Sequence, residues 1–336
     1  KRWMFWLGIC ISAFFLYIAL RGLDLSALWA SIKTIQTIWL VPGILFYFLG
    51  VFLRSQRWSI LLKGKYSPKP SQLFPSICIG YLGNNIFPVR AGELLRAYHL
   101  REKLAIPFTT SLASIIVERI FDGLIMLIFI LIGLPSFQDQ LQNSSLAGLI
   151  HWILLVGAFI FLFAFFLVWL SALYPEKAQR VFDFVFLKIL PKKAHEKYHA
   201  LLNRFFEGLA ALKSPAQLIA TFATSLIVWL FETGLYFCVE QAFQLKIPFN
   251  QLLLLNGTLN IISIIPSAPG YIGVFDAPGI SLLNAMSVPS ESAAAYILTL
   301  HAALWLPITV VGLIFFIREG LQWSYIKSQK IGNEGT

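Results

Sequence analysis

The sequence predicts an all-α polytopic membrane protein: an inverted repeat in which six helices cross the bilayer and two re-entrant helical hairpins enter it. Three observations predict this class. The 336-residue chain is 58% hydrophobic and 12% charged, with 30 Phe and 10 Trp, a composition suited to lipid rather than water. Its apolar residues gather in runs of about 20, the length that spans a hydrocarbon core. Two further apolar stretches are broken by Pro and Gly at matching places in the two halves.

Six runs read as crossing helices: residues 3–20, 39–62, 108–133, 150–173, 216–243 and 290–317. The first follows Lys1 and Arg2 like a signal peptide, but its apolar run is long and no small-x-small cleavage site precedes Arg21, so it reads as a retained helix. Residues 71–104 and 251–287 are the interrupted stretches, broken by "PVRAG" and "PSAPG".

Loop charge orients these elements. Residues 134–149 contain no Lys or Arg, whereas residues 174–215 carry eight, from Lys177 to Lys213. The positive-inside rule therefore places the second loop in the cytoplasm and the first outside. If residues 71–104 enter and leave on one face, Lys63, Lys65, Lys69, Arg101 and Lys103 also fall inside, and both termini are cytoplasmic in a multi-pass protein of the cell membrane. Loop 174–215 reads as an amphipathic helix pair facing anionic headgroups. This loop also holds the largest cluster of the basic residues behind the net charge of +10, so nucleic acid is not an expected partner. His195 and His199 have metal-ligand spacing within it but no nearby carboxylate partner, so no metal is implied. Cys10, Cys78 and Cys238 lie in apolar segments without C-x-x-C spacing and read as packing residues. No cofactor is implied, and the oligomeric state stays unknown.

A repeat organises the whole chain as a single transmembrane domain, residues 1–336. "GYLGNNIFPVRAGEL" and "GTLNIISIIPSAPGYI" each place a Gly four positions after a Pro, Pro88 to Gly92 and Pro266 to Gly270, with an offset of 178. At that offset Arg54 aligns with Glu232 and Trp58 with Tyr236. Repeat one covers about residues 3–133 and repeat two about 150–317, in opposite orientations. Inverted repeats with broken helices are a transporter architecture whose substrate site lies between the halves.

Charges inside apolar segments nominate the site. Pro88 interrupts the first hairpin, and a half-helix expected from about Ala91 points its free N–H groups inward, an end that attracts anions. Arg90 beside it supplies a bidentate phosphate donor. Gly92 relaxes the turn, and Glu93 and Arg96 have the i,i+3 spacing of an intrahelical pair. In "VERIFDG", Glu118, Arg119 and Asp122 share about a third of one helix's circumference, opposite Ile116, Ile120 and Leu127. Arg119 is expected to pair with Asp122. One carboxylate is then left over, either to balance Arg90 or to carry a proton; a structural ion network is the alternative. In the second half Ser267 is a candidate cap, with Pro269 in the first turn. Pro266 breaks the chain, and Gly270 and Gly273 admit either a headgroup or a tightly packed helix. Glu232 lies deep, and Glu240 is expected at the interface. Asp276 and His301 complete the candidate proton-coupling set with Glu118, Asp122 and Glu232; a lone intramembrane His is also a common packing residue.

"NNIFPVRAGELLRAYHL", "SIIVERIFDGLIML" and "IIPSAPGYIGVFDA", in this order, resemble the signature set of the flippase-like transmembrane domain of lysylphosphatidylglycerol synthases and their stand-alone relatives. The resemblance spans roughly residues 40–317. It implies a membrane domain that moves lipids between leaflets, with membrane lipids bearing anionic headgroups as partners. Asp276 stands where the resemblance leads one to expect a longer Glu. No soluble aminoacyl-transferase domain follows Thr336, so synthesis of lysyl-lipid is not implied.

Three functions remain open from the sequence. A translocator of an anionic phospholipid or polyprenyl-phosphate-linked lipid uses the buried charges and both half-helix ends. A glycosyl or phosphoryl transferase acting on lipid-linked substrates wants paired carboxylates at a membrane face, where Asp24 stands alone. An accessory subunit needs no deep charge.

Overall fold

The computed structural model describes Tyr17 and residues 24–87, 91–137, 146–264 and 269–320. These residues form helices and connecting turns, with no strand among them. The expected helix at residues 3–20, apart from Tyr17, lies outside the described residues. So do Asp139 in the expected external loop, and Pro88, Arg90, Pro266 and Ser267.

A short helix opens the described chain. Helix α1, Leu25–Lys33, is capped by Asp24, whose carboxylate accepts from Ser26 N at 2.8 Å and Ala27 N at 3.3 Å, satisfying two donors that a helix start leaves free. Two long helices then form the central contact: α2, Leu40–Leu62, and α9, Pro215–Phe243. Small residues let their backbones approach. A Cβ at Gly43 would lie 2.8 Å from Leu235 Cδ1, and one at Gly50 would lie 3.4 Å from the Val228 carbonyl oxygen.

The first interrupted stretch folds into α3, Pro70–Ile86, and α4, Gly92–Leu104, packed face to face. Glycine permits this contact, because a Cβ on Gly92 would sit 1.9 Å from the Gly80 carbonyl oxygen. Both flanks of the pair meet one surface helix. Lys65, before α3, bonds Glu207 at 2.7 Å, and Thr110, after α4, donates to the Arg204 carbonyl at 2.9 Å. The α3–α4 pair therefore starts and ends on the same face of the bundle.

Helix α5, Phe108–Gly133, is the most deeply covered long helix. Helix α10, Phe249–Ile262, rests on it, with Gly257 against the Met126 carbonyl and Gly133 against that of Asn250. A similar contact joins α3 to α12, Ser290–Arg318, through Gly312 against the Cys78 carbonyl. Ile120 and Leu127 are also buried, at 6% and 5% exposure. The face expected to lie opposite the α5 charges is thus largely covered by protein, and Ile116 alone of the three is exposed. Helix α6, Leu146–Leu173, packs outside α5, and its outer residues, such as Phe159, are left uncovered.

The basic loop forms α7, Pro175–Phe186, and α8, His195–Gly208, as the amphipathic pattern predicts. Val181 and Phe184 are exposed on α7. Glu240, expected at the membrane interface, lies near the end of α9. It is buried and accepts from Ile247 N at 3.2 Å, because the turn after α9 passes through left-handed Gln244 and Lys246 and needs an acceptor for its N–H groups.

The second interrupted stretch also departs from expectation. Its second helix, α11, Asp276–Ala285, starts several residues later than the expected first turn at Pro269. Pro269–Tyr271 forms a single 3-10 turn instead. Gly270, Tyr271 and Gly273 all have positive φ, which an α-helix cannot contain.

Among the described residues, four helices are long and apolar enough to cross a membrane: Thr37–Leu62, Ile150–Leu173, Pro215–Phe243 and Ser290–Arg318. Helix α5 has 26 residues and carries Glu118, Arg119 and Asp122 at its centre. The chain is a membrane protein with several candidate spans.

Candidate functional site

Four helices converge on a buried ionic cluster. From α2, Arg54 donates to Glu232 of α9 at 2.8 Å, and Arg57 donates to Asp122 of α5 at 2.5 Å and lies 3.2 Å from Glu118. From α4, Arg96 grips Glu118 with two bonds, at 2.9 and 3.2 Å. Arg119 contacts both Glu118 and Asp122, the latter at 3.1 Å. Aromatic rings close the cluster: Arg54 stacks over Trp229 and Arg96 over Trp58, each 4.3 Å from the ring centroid, and the Trp229 indole donates to Asp122 at 2.7 Å.

This geometry corrects two expectations. Arg96 pairs across helices with Glu118 rather than along its own helix with Glu93. The two α5 carboxylates are also not left one charge in surplus, because Arg57 and Arg96 approach them as well as Arg119. The bonded cluster holds four guanidiniums against Glu118, Asp122 and Glu232. Glu93 lines the same cavity and brings the described charges level. The sequence reading passed over Arg57 and used Arg54 only to align the repeats. Two arginines three positions apart inside an apolar run were the available signal. Trp229 carried no such mark among ten tryptophans.

A cavity of about 140 Å³ lies between this cluster and the residues around His301. Arg54, Arg96, Arg119 and Glu232 line it from one side, and Gly270, His301 and Trp305 from the other. Three of its lining donors have no hydrogen-bond partner among the described residues: Arg96 Nε, Arg119 Nε and Trp305 Nε1. Glu93 Oε2 is unpartnered as well; buried polar atoms are nearly always satisfied, so this cavity suits a ligand that offers several acceptors and a donor. Gly92 is the first residue of α4, and its N–H donates to Asn84 at 2.8 Å. That end of the half-helix is thus partly occupied by a side chain.

The opposite wall is built by the second half. His301 Nδ1 lies 2.7 Å from Asp276 Oδ1, and its Nε2 lies 2.7 Å from the Gly270 carbonyl. Asp276 also accepts from Gly273 N at 2.8 Å. Through these two contacts His301 ties α12 to the left-handed segment and to the start of α11. Gly270 has no room for a side chain, since a Cβ would lie 2.5 Å from Trp305 Nε1. Of the predicted residues, Glu93, Arg96, Glu118, Arg119, Glu232, Gly270 and His301 line one cavity. Asp122, Gly273 and Asp276 stand directly behind it, and Arg90 and Pro266 lie outside the described residues.

The profile of the family described as "Lysylphosphatidylglycerol synthase TM region" matches residues 5–312. A UPF0104 membrane protein of Methanothermobacter thermautotrophicus is 23% identical over 290 residues, covering 82% of this chain and 84% of the relative. Another UPF0104 membrane protein, from Methanocaldococcus jannaschii, is 25% identical over 238 residues, covering 69% and 92%. Glycosyltransferase AglD of Haloferax volcanii is 41% identical over 71 residues, covering 21% of this chain and 11% of that protein. No solved structure matches. With nearly its whole length matched, and with the three sequence motifs meeting around one ionic cavity, the chain belongs to the lysylphosphatidylglycerol synthase transmembrane-region family.

Proposed function

We propose that this protein moves a lipid with an anionic headgroup between the two leaflets, the headgroup passing through the ionic cavity while the chains stay in apolar surroundings. The observation that carries the reading is the set of unpartnered N–H donors on Arg96, Arg119 and Trp305 around a cavity between the halves. A phosphate supplies acceptors in several directions at once. Arg90, between α3 and α4 in the sequence, is assigned to the same headgroup site with Gly92 and Glu93, and Pro266, Gly270 and Gly273 are its counterparts in the second interrupted stretch.

The proposed frame is a single domain of two inverted repeats, about residues 3–133 and 150–317. It has six crossing helices, α3–α4 and α10–α11 as re-entrant hairpins, and both termini and the basic loop in the cytoplasm. The shared face of both α3–α4 flanks supports the first hairpin. The matching contacts of α10 on α5 and α3 on α12 support the repeat. Since the α5 carboxylates have no surplus charge, the proton-coupling role falls to the Asp276–His301 pair, with Glu118, Asp122 and Glu232 holding the arginines in place.

A module serving lipid-linked transfer chemistry is the second reading, favoured by the short match to a glycosyltransferase. Reconstitution into vesicles with fluorescent phosphatidylglycerol separates the two. Translocation predicts that inner-leaflet probe becomes accessible to an external reductant with no new chemical species. A product without movement would support the transferase reading.

A further inference from the structure

A second cavity, of about 680 Å³, lies beside the ionic one, between α5, α6, α9 and α10. Its size falls within the range of about 300–1,000 Å³ common for ligand sites. Arg119, Trp229 and Asn260 line both cavities, so the two adjoin at these three side chains. Away from that junction the second cavity is apolar, and its rim residues Trp152, Ile160 and Ile264 are exposed on the outside of the bundle.

We propose that this cavity holds a hydrocarbon chain of the lipid whose phosphate sits at Arg119, and that the chain leaves laterally between α6 and α10. The inference rests on the translocation reading and adds the route of the tail. Burial against apolar protein gains little over burial in bilayer, so hydrophobicity does not place a chain there. Connectivity does. A headgroup held among Arg54, Arg96 and Arg119 needs an apolar path for its tail that begins at the headgroup, and this cavity begins at Arg119 and ends in lipid. Gly157 helps keep it open, since around its α-carbon only Leu127 would meet an added Cβ, at 3.1 Å.

The test places an environment-sensitive fluorophore at Ile160→Cys, with Leu155→Cys as a lipid-facing control on α6, in a chain whose three native cysteines are replaced. Nanodiscs of phosphatidylcholine receive phosphatidylglycerol with brominated chains, which quenches on contact. Quenching at position 160 should saturate and be reversed by unbrominated phosphatidylglycerol, whereas at 155 it should grow in proportion to brominated lipid and resist competition. Val156→Trp should remove the saturable part at 160 while leaving the thermal transition unchanged. Quenching at 160 that follows the control would overturn the proposal, even if the protein moves lipid. Saturable quenching without lipid movement would uphold the chain site and sink the translocation reading.

Discussion

Arg54 and Glu232, 178 residues apart in the chain, are bonded to each other at 2.8 Å, and 178 is also the offset that superimposes the two Pro-Gly motifs. In the proposed inverted-repeat frame, a residue that touches its own repeat mate lies close to the axis relating the repeats. Gly50 and Val228 bear the same relation, at the close crossing of α2 and α9. The pair is buried on both sides, at 3% and 9% side-chain exposure. Removing one partner from a buried pair leaves an uncompensated charge, at a cost of about 3–5 kcal/mol. Arg54→Met or Glu232→Met alone should therefore lower stability in detergent by roughly that amount, whereas the two together should restore most of it. A double-mutant cycle read by denaturant or thermal unfolding checks the coupling, and additive losses would mean that the bond contributes nothing.

Gly92→Ala should prevent the α3–α4 contact, because its Cβ would overlap the Gly80 carbonyl and the Asn84 side chain. A loss above about 3 kcal/mol, or failure to accumulate, is expected. Gly148→Ala provides the contrast. Nothing lies within 4 Å of the added carbon, and its helix should gain about 0.5–1 kcal/mol. Thermal melting of both variants distinguishes a packing requirement from general intolerance of change.

Lys103 lies 2.7 Å from Glu319, at the end of α12. Its hydrogen bond holds the Glu319 carboxyl below its ordinary value. A depressed carboxyl contributes stability above its unfolded pKa of about 4.3, and the contribution is lost as pH falls through the folded value. The pair is partly exposed, so the effect should stay under about 1 kcal/mol. Stability measured from pH 6 to 3 should decline slightly more in the parent than in Lys103→Ala.

The shared face of the α3–α4 flanks predicts the outcome of labelling. Single cysteines at Lys65 and Lys103 should react with an impermeant maleimide from the same side of sealed vesicles, the side that also labels Lys192. Labelling from opposite sides would mean that residues 70–104 cross the membrane.

The long helices were legible because a bilayer demands length and apolarity, and runs such as 290–317 satisfy both. The charges of α5 were legible as a group, since three ionisable residues within five positions of an apolar helix have no reason to face lipid. Their partners were not. Arg96 has Glu93 three positions away on its own helix, yet it bonds Glu118 on another, and only the tertiary approach of α4 to α5 decides between them. The start of α11 was misplaced because Pro269 is a good first-turn residue, and the left-handed geometry of Gly270, Tyr271 and Gly273 outweighs that local preference. The His301 contacts with Asp276 and Gly270 join residues 25 and 31 positions apart, a distance at which sequence spacing gives no guide.

Leaflet exchange in vesicles reconstituted with Arg119 variants shows whether a lipid phosphate is held at Arg119 as it crosses. Arg119 is 36% exposed, and its neighbours Glu118 and Asp122 keep Arg96 and Arg57 as partners, so the fold should survive its replacement. The account predicts that the parent exchanges fluorescent phosphatidylglycerol. Arg119→Lys, which keeps the charge but loses the planar fork, should be partly impaired, and Arg119→Ala should fall to the rate of protein-free vesicles with its thermal transition retained. Equal exchange by all three proteins would contradict it.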